Sequence, residues 1–85
     1  MKLIIPTPLR SYTVRREVEA DGETLAAVLL DLDRQYPGIR FRVIDEQDRM
    51  RPHVRFFVNG EAVSDLSQPL HPSDALVIVP ALSGG

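Results

Sequence analysis

The chain contains no cysteine. That single absence removes disulfides, thiolate metal sites, thiol redox chemistry and a cysteine nucleophile. Long apolar runs are missing too. The opening Met1-Lys2-Leu3-Ile4-Ile5-Pro6 meets a proline after a short apolar run, too short for a signal peptide or a membrane span. The expected location is therefore the cytoplasm. No charge dominates: ten Lys and Arg against twelve Asp and Glu leave a net charge of −2. Without a basic stripe interleaved with aromatics, neither nucleic acid nor a membrane is an expected partner. No Ser–His–Asp spacing, phosphate loop or nucleotide fingerprint occurs. The only histidines, His53 and His71, lack cysteine neighbours and helical pairing, so they read as exposed loop residues and no metal site is expected. Asp31 and Asp33, with Glu23 nearby, read as solvated charges on the polar side of a helix. An independent enzyme is not expected.

What remains is an ordinary globular composition, 44% apolar and 26% charged, in 85 residues. That length makes one domain with one modest core. The clearest element has Leu25, Val28, Leu29, Leu32 and Tyr36 on one helical face, with Thr24 as N-cap and Pro37-Gly38 as the stop. Strands are expected at Lys2 to Ile5, closed by Pro6-Thr7-Pro8, and at Thr13 to Ala20, with Val14, Val18 and Ala20 on one face. Asp21-Gly22 reads as a turn. A third strand is expected from Gly38 to Ile44, with Phe41 and Val43 facing one way and Arg40 and Arg42 the other. Asp45 to Pro52 reads as a charged exposed loop. Arg55 to Val58 reads as a strand followed by the hairpin signal Asn59-Gly60. Ser64 to Asp74 reads as irregular. Ala75 to Val79 is a compact apolar run suited to a central strand, ended by Pro80. This order predicts an α+β fold: a mixed sheet of four to five strands packed on one main helix. Residues 1–80 form the domain and 81–85 a flexible tail.

Four stretches in this order, Leu9-Arg10, Gly22-Glu23-Thr24-Leu25, Phe57-Val58-Asn59-Gly60-Glu61, and Ser73-Asp74 through Pro80-Ala81 to Gly84-Gly85, resemble the MoaD/ThiS family of ubiquitin-like β-grasp sulfur carriers. The resemblance spans essentially the whole chain. Within the family it is nearest the CysO type, on Ile5-Pro6-Thr7-Pro8-Leu9-Arg10, Tyr12-Thr13, Asp31-Leu32 and Tyr36-Pro37-Gly38-Ile39. Ser73 and Leu82-Ser83 depart from the common pattern.

The resemblance implies a specific chemistry. A partner adenylating enzyme, ubiquitin-activating-like and of the MoeB/ThiF type, uses ATP to activate the carboxylate of Gly85. Sulfur then replaces AMP to give a thiocarboxylate. The carrier supplies no catalytic side chain and binds no cofactor of its own. The implied acceptor is a cysteine synthase, with a metal-dependent protease releasing the product. Molybdopterin synthase, through its large subunit, is the alternative, and a ubiquitin-like protein modifier is another. Since Lys2 is the only lysine, chains built on itself are not expected.

Elementary physics suits this end to that task. A terminal carboxylate is ionised at neutral pH, with a reference pKa near 3.5, and needs activation before acyl transfer. Glycines lack Cβ and so fit a narrow channel. Leu82, Ser83, Gly84 and Gly85 are the residues a partner would recognise. For docking, adjacent Phe56 and Phe57 must point to opposite faces of their strand. Val54, Phe56 and Val58 are expected to face the helix, which leaves Phe57 and Arg55 on the open face as partner contacts. Arg10 joins them because it lies in a family-like stretch. Arg10, Arg40, Arg42 and Arg55 form a candidate basic patch.

Overall fold

The structure, a computed structural model, describes residues 1–80. The expectations placed on 81–85 lie outside the described residues. Along the chain run β1 (Lys2–Ile4), a single 3-10 turn (Thr7–Leu9), α1 (Arg10–Thr13), β2 (Glu17–Glu19), α2 (Leu25–Gln35), α3 (Ile39–Val43), β3 (Val54–Val58), β4 (Glu61–Val63) and β5 (Ala75–Pro80). The strands form one sheet in the order β2-β1-β5-β3-β4. β1 and β5 are parallel, and the other pairs are antiparallel. It is the mixed sheet and main helix that the sequence predicts.

Alternation along the strands sends one set of side chains inward. Leu3, Val18, Phe56, Leu76 and Ile78 join Leu25, Val28, Leu29 and Leu32 of α2 in one buried cluster. The helix forms where the apolar stripe says it should, and its start is well satisfied. The Ala27 N–H donates to Thr24 Oγ1 at 3.2 Å, as the N-cap reading requires. The preceding free N–H groups of Leu25 and Ala26 donate to the carbonyls of Gln68 and Leu66. The irregular segment after β4 thus caps the helix and seats Leu70 in the core. At the hairpin, Asn59 (φ 50°) and Gly60 (φ 87°) both take positive φ, the conformation an Asn-Gly turn supplies.

Two expected strands are corrected. The segment Thr13 to Ala20 is not one strand: residues 10–13 make a helical turn, and only Glu17–Glu19 pair with β1. Thr13 Oγ1 donates to the Arg15 carbonyl at 2.6 Å and accepts from the Arg15 N–H at 3.3 Å. That local bonding replaces a ladder. Val14 therefore does not share a face with Val18 and Ala20. It sits at φ 62° and is 87% exposed.

The segment Gly38 to Ile44 is helical instead of extended. Its apolar positions Ile39, Phe41 and Val43 alternate as a strand would, but Ile39 and Val43 also stand four apart on one helical face, and both are buried. The helix is favoured because the Asp33 carboxylate accepts the N–H groups of Gly38 and Arg40 at 3.1 and 3.0 Å. Phe41 consequently points away from Val43 and is 55% exposed. The fifth strand of the sheet is Glu61–Val63 in place of this segment.

Gly22 fixes how closely the β2–α2 connection approaches the helix. A Cβ there would lie 2.5 Å from Val28 N and 2.7 Å from Ala27 C, both backbone atoms. Gly22→Ala must push the connection off α2, and overpacking of this kind costs about 1–3 kcal/mol. Urea unfolding should show a lower midpoint with an unchanged slope.

Candidate functional site: the root of the C-terminal tail

β5 is the middle strand of five. It is held by β1 along its first half, Ala75 to Val77, and by β3 from Leu76 to Pro80, so its end is fixed by the β3 ladder. Pro80 stands opposite Val54 at that end, and residues 81–85 continue from it. Proline has no N–H to donate, so it suits the last ladder position. The sequence thus ends the described fold on a residue held in the sheet, with residues 81–85 following it.

Register places the open-face residues without ambiguity, since directly paired residues share a face. Phe57 pairs with Val77 of β5 and Ala62 of β4, and Val77 pairs with Ile4 of β1. Arg55 pairs with Val79, one step nearer the root. The face away from the helix therefore carries an apolar centre of Ile4, Val77 and Phe57, all partly buried, with Val79 and Arg55 at the root side. Phe56 lies on the opposite face and is 1% exposed. The alternation argument for Phe56 and Phe57 places both side chains correctly.

The arginines flank the root. Arg55 is exposed, and its Nη1 donates to the carbonyls of Pro52 and Val54 at 2.9 and 3.0 Å, which turns the guanidinium toward the root end of β3. Arg10 follows the matching end of β1, its Nε donating to the Ile5 carbonyl at 3.1 Å. Arg40 leaves the expected patch: its guanidinium pairs with Asp48 at 3.0 Å and is mostly covered. Arg51 is a residue that sequence reasoning missed. Its Nε donates to the Phe41 carbonyl at 2.7 Å, and its guanidinium lies 4.5 Å from the centre of the Phe41 ring. Nothing in the spacing signals this contact, because it depends on α3 being a helix.

Titration behaviour marks the opposite, structural end. Asp74 accepts the His71 N–H and the Asn59 Nδ2, both at 2.8 Å; the His71 bond foremost holds its carboxyl below the usual range. Among the described residues, no three His, Asp or Glu side chains gather to hold a metal ion, and no helix is long and apolar enough to cross a membrane.

A model of the ThiS family matches residues 3–85, from β1 through the final glycine. The chain belongs to the ThiS family. The sulfur carrier protein CysO of Mycobacterium tuberculosis is 38% identical over 87 aligned residues, covering 95% of this chain and 94% of that protein. A chain of the Amycolatopsis orientalis BexX/CysO complex superposes with a TM-score of 0.91 at 32% identity, over 99% of this chain and 98% of that one. Small archaeal modifier protein 3 of Haloferax volcanii is 32% identical over 68 residues, covering 76% of this chain and 73% of that protein. These likenesses establish the ubiquitin-like β-grasp fold. For this ThiS-family chain the match includes the tail positions Leu82, Ser83, Gly84 and Gly85, whose structure lies outside the described residues.

Proposed function

We propose that this protein is a sulfur carrier that holds sulfur as a thiocarboxylate at Gly85 and delivers it for cysteine synthesis. The observation that carries the reading is the family match running through the final Gly-Gly of a chain that is 38% identical to CysO over nearly its full length. The fold supports it. A tail leaving the middle strand from a fixed root can be presented to an enzyme while the body docks outside. Five residues reach about 17 Å when extended at about 3.4 Å each.

The chemistry belongs to the partners. A carboxylate oxygen of Gly85 attacks the α-phosphorus of ATP on the adenylating enzyme, and pyrophosphate leaves. Hydrosulfide then attacks the acyl carbon and gives up its proton. AMP departs with the original oxygen, and the terminus becomes a thiocarboxylate. The chain acts as a protein substrate and contributes no catalytic side chain. Phe57, Arg55 and Arg10 meet the partner around the root: the apolar centre of the open face gives contact area, and the arginines favour an acidic surface. The acceptor is a cysteine synthase; that a similar chain comes from a complex of CysO with BexX supports docking of the folded body on a partner protein.

The test is intact-mass measurement after incubation with ATP, the adenylating enzyme of the same organism and a sulfur source. Exchange of oxygen for sulfur at Gly85 adds about 16 Da. An unchanged mass would refute the carrier reading. The likeness to small archaeal modifier protein 3 favours protein modification as a second reading, and adducts of this chain on lysines of other proteins would be its sign.

A further inference from the structure

The net charge of −2 hides a polarised molecule. At the end of the sheet where β5 starts lie Glu19, Asp21, Glu61 and Asp74, with Lys2 opposite Glu19 and Ala75 and paired with Glu17. Glu19 and Asp21 bond the Met1 ammonium there, Glu61 pairs with Val58, and Asp74 bonds Asn59. The root end is the reverse. Arg10 and Arg16 follow and precede the root ends of β1 and β2, and the Arg16 carbonyl accepts the Ile5 N–H at 2.7 Å. Arg42, Arg51, His53 and Arg55 complete that pole. Among the described residues, Arg10, Arg16, Arg42, Arg51 and Arg55 have no carboxylate within ion-pair distance, whereas Arg34, Arg40, Arg49 and Lys2 each do.

A groove opens into this pole on the helix side of the sheet. It has a volume of about 470 Å³ and lies between the Pro6–Leu9 segment, Phe41 of α3 and the Ile78–Pro80 end of β5. Its ionisable lining is entirely of the basic residue types: Arg42, Arg51 and His53. The Phe41 ring and the Arg51 guanidinium form a fixed shelf on one side. Stacking and the bond from Nε to the Phe41 carbonyl hold that guanidinium, and among the described residues its Nη donors make no protein hydrogen bond. Aromatic and arginine anchors are enriched where partners bind.

We propose that this groove is a docking site on the helix side of the sheet, meeting the open face at Val79, and that it takes an acidic segment of a partner protein carrying an apolar side chain next to a carboxylate. The apolar side chain enters between Leu9, Phe41 and Ile78. The carboxylate meets Arg51 and Arg42 at the rim. Because Pro80 lines the groove, a partner seated there grips the root from the helix side and aims the tail. The identity of that partner as a loading or accepting enzyme rests on the carrier reading; the recognition chemistry does not.

The probe is a pair of blocked peptides, Ac-Glu-Leu-Phe-Asp-NH2 and Ac-Lys-Leu-Phe-Lys-NH2, titrated into the full 85-residue chain and followed by amide NMR shifts. The acidic peptide should shift Leu9, Phe41 and Ile78 and bind at least about tenfold more tightly than the basic one, with the difference lost at high salt. Arg42→Glu and Phe41→Ser change exposed side chains, and each should weaken the acidic peptide about fivefold or more at unchanged unfolding midpoint. Equal binding of the two peptides, or shifts confined to the open face around Phe57, would overturn the proposal. So would stronger binding of a short single-stranded RNA at the same residues, which would make the pole a nucleic-acid surface. Groove binding without any 16 Da gain sinks the carrier reading alone, and a 16 Da gain without groove binding sinks the groove alone.

Discussion

Deleting Gly85 should abolish loading with sulfur, with kcat/KM for adenylation down by about a hundredfold or more, while the unfolding midpoint stays unchanged. The argument is one of reach from a fixed point. β5 lies between two partner strands, and its end at Pro80 cannot advance without breaking its pairing with Val54 and Arg55 of β3. A chain one residue shorter delivers its carboxylate about 3.4 Å short of the position the full chain reaches. Misplacement of a reacting group by about 1 Å can already cost about a hundredfold. The body could recover the distance only by docking deeper, against contacts made by the root. Gly85→Ala keeps the length and adds a Cβ beside the reacting carbon, so it should slow adenylation without abolishing it. Competition experiments read the difference: the shortened chain should still inhibit loading of the full chain, because its docking surface is intact. Normal loading of the shortened chain would show that neither reach nor the final glycine matters.

Much of this arrangement was legible in the sequence, and the failures have local causes. The stripe from Leu25 to Leu32 and the Thr24 cap are strong signals because packing and hydrogen bonding favour the same element. The run Ala75 to Val79 declared a central strand, and the root of the tail follows from it. The apolar set Val54, Phe56 and Val58 fixed the phase of β3, and with it the outward position of Arg55 and Phe57. Sequence reasoning failed where a short pattern fits two periods. Ile39, Phe41 and Val43 satisfy alternation, while Ile39 and Val43 alone satisfy a helix; the Asp33 carboxylate, six residues ahead of Ile39 in sequence, decides it. Thr13 similarly bends its own backbone where a strand was expected. Each local misreading carried into the site. Arg40 leaves the arginine patch for Asp48, and the Phe41–Arg51 shelf carries no sequence signal because it joins α3, whose pattern also fits a strand, to the loop that follows it.

The adjacent phenylalanines of β3 separate stability from recognition, and Phe56→Ala should show the largest stability loss of any single substitution argued from this fold. Phe56 is 1% exposed and pairs with Ile78 of β5 and Val63 of β4, so it touches the strand that carries the root. Removing a buried phenylalanine ring costs about 3–5 kcal/mol, part lost transfer energy and part cavity. A domain of this size has roughly 4–13 kcal/mol in total, so the variant should be partly unfolded at 37 °C or close to it. Loading should then fall with the folded fraction and return when an osmolyte such as TMAO restores the fold. Phe57→Ala, one residue on, removes a partly buried ring from the open face. It should leave most of the stability in place and raise KM for the adenylating enzyme, and no osmolyte should repair it. Thermal melts run beside loading kinetics distinguish the two. If Phe57→Ala lost as much stability as Phe56→Ala, the outward ring would be a core element, and the open face would need another anchor.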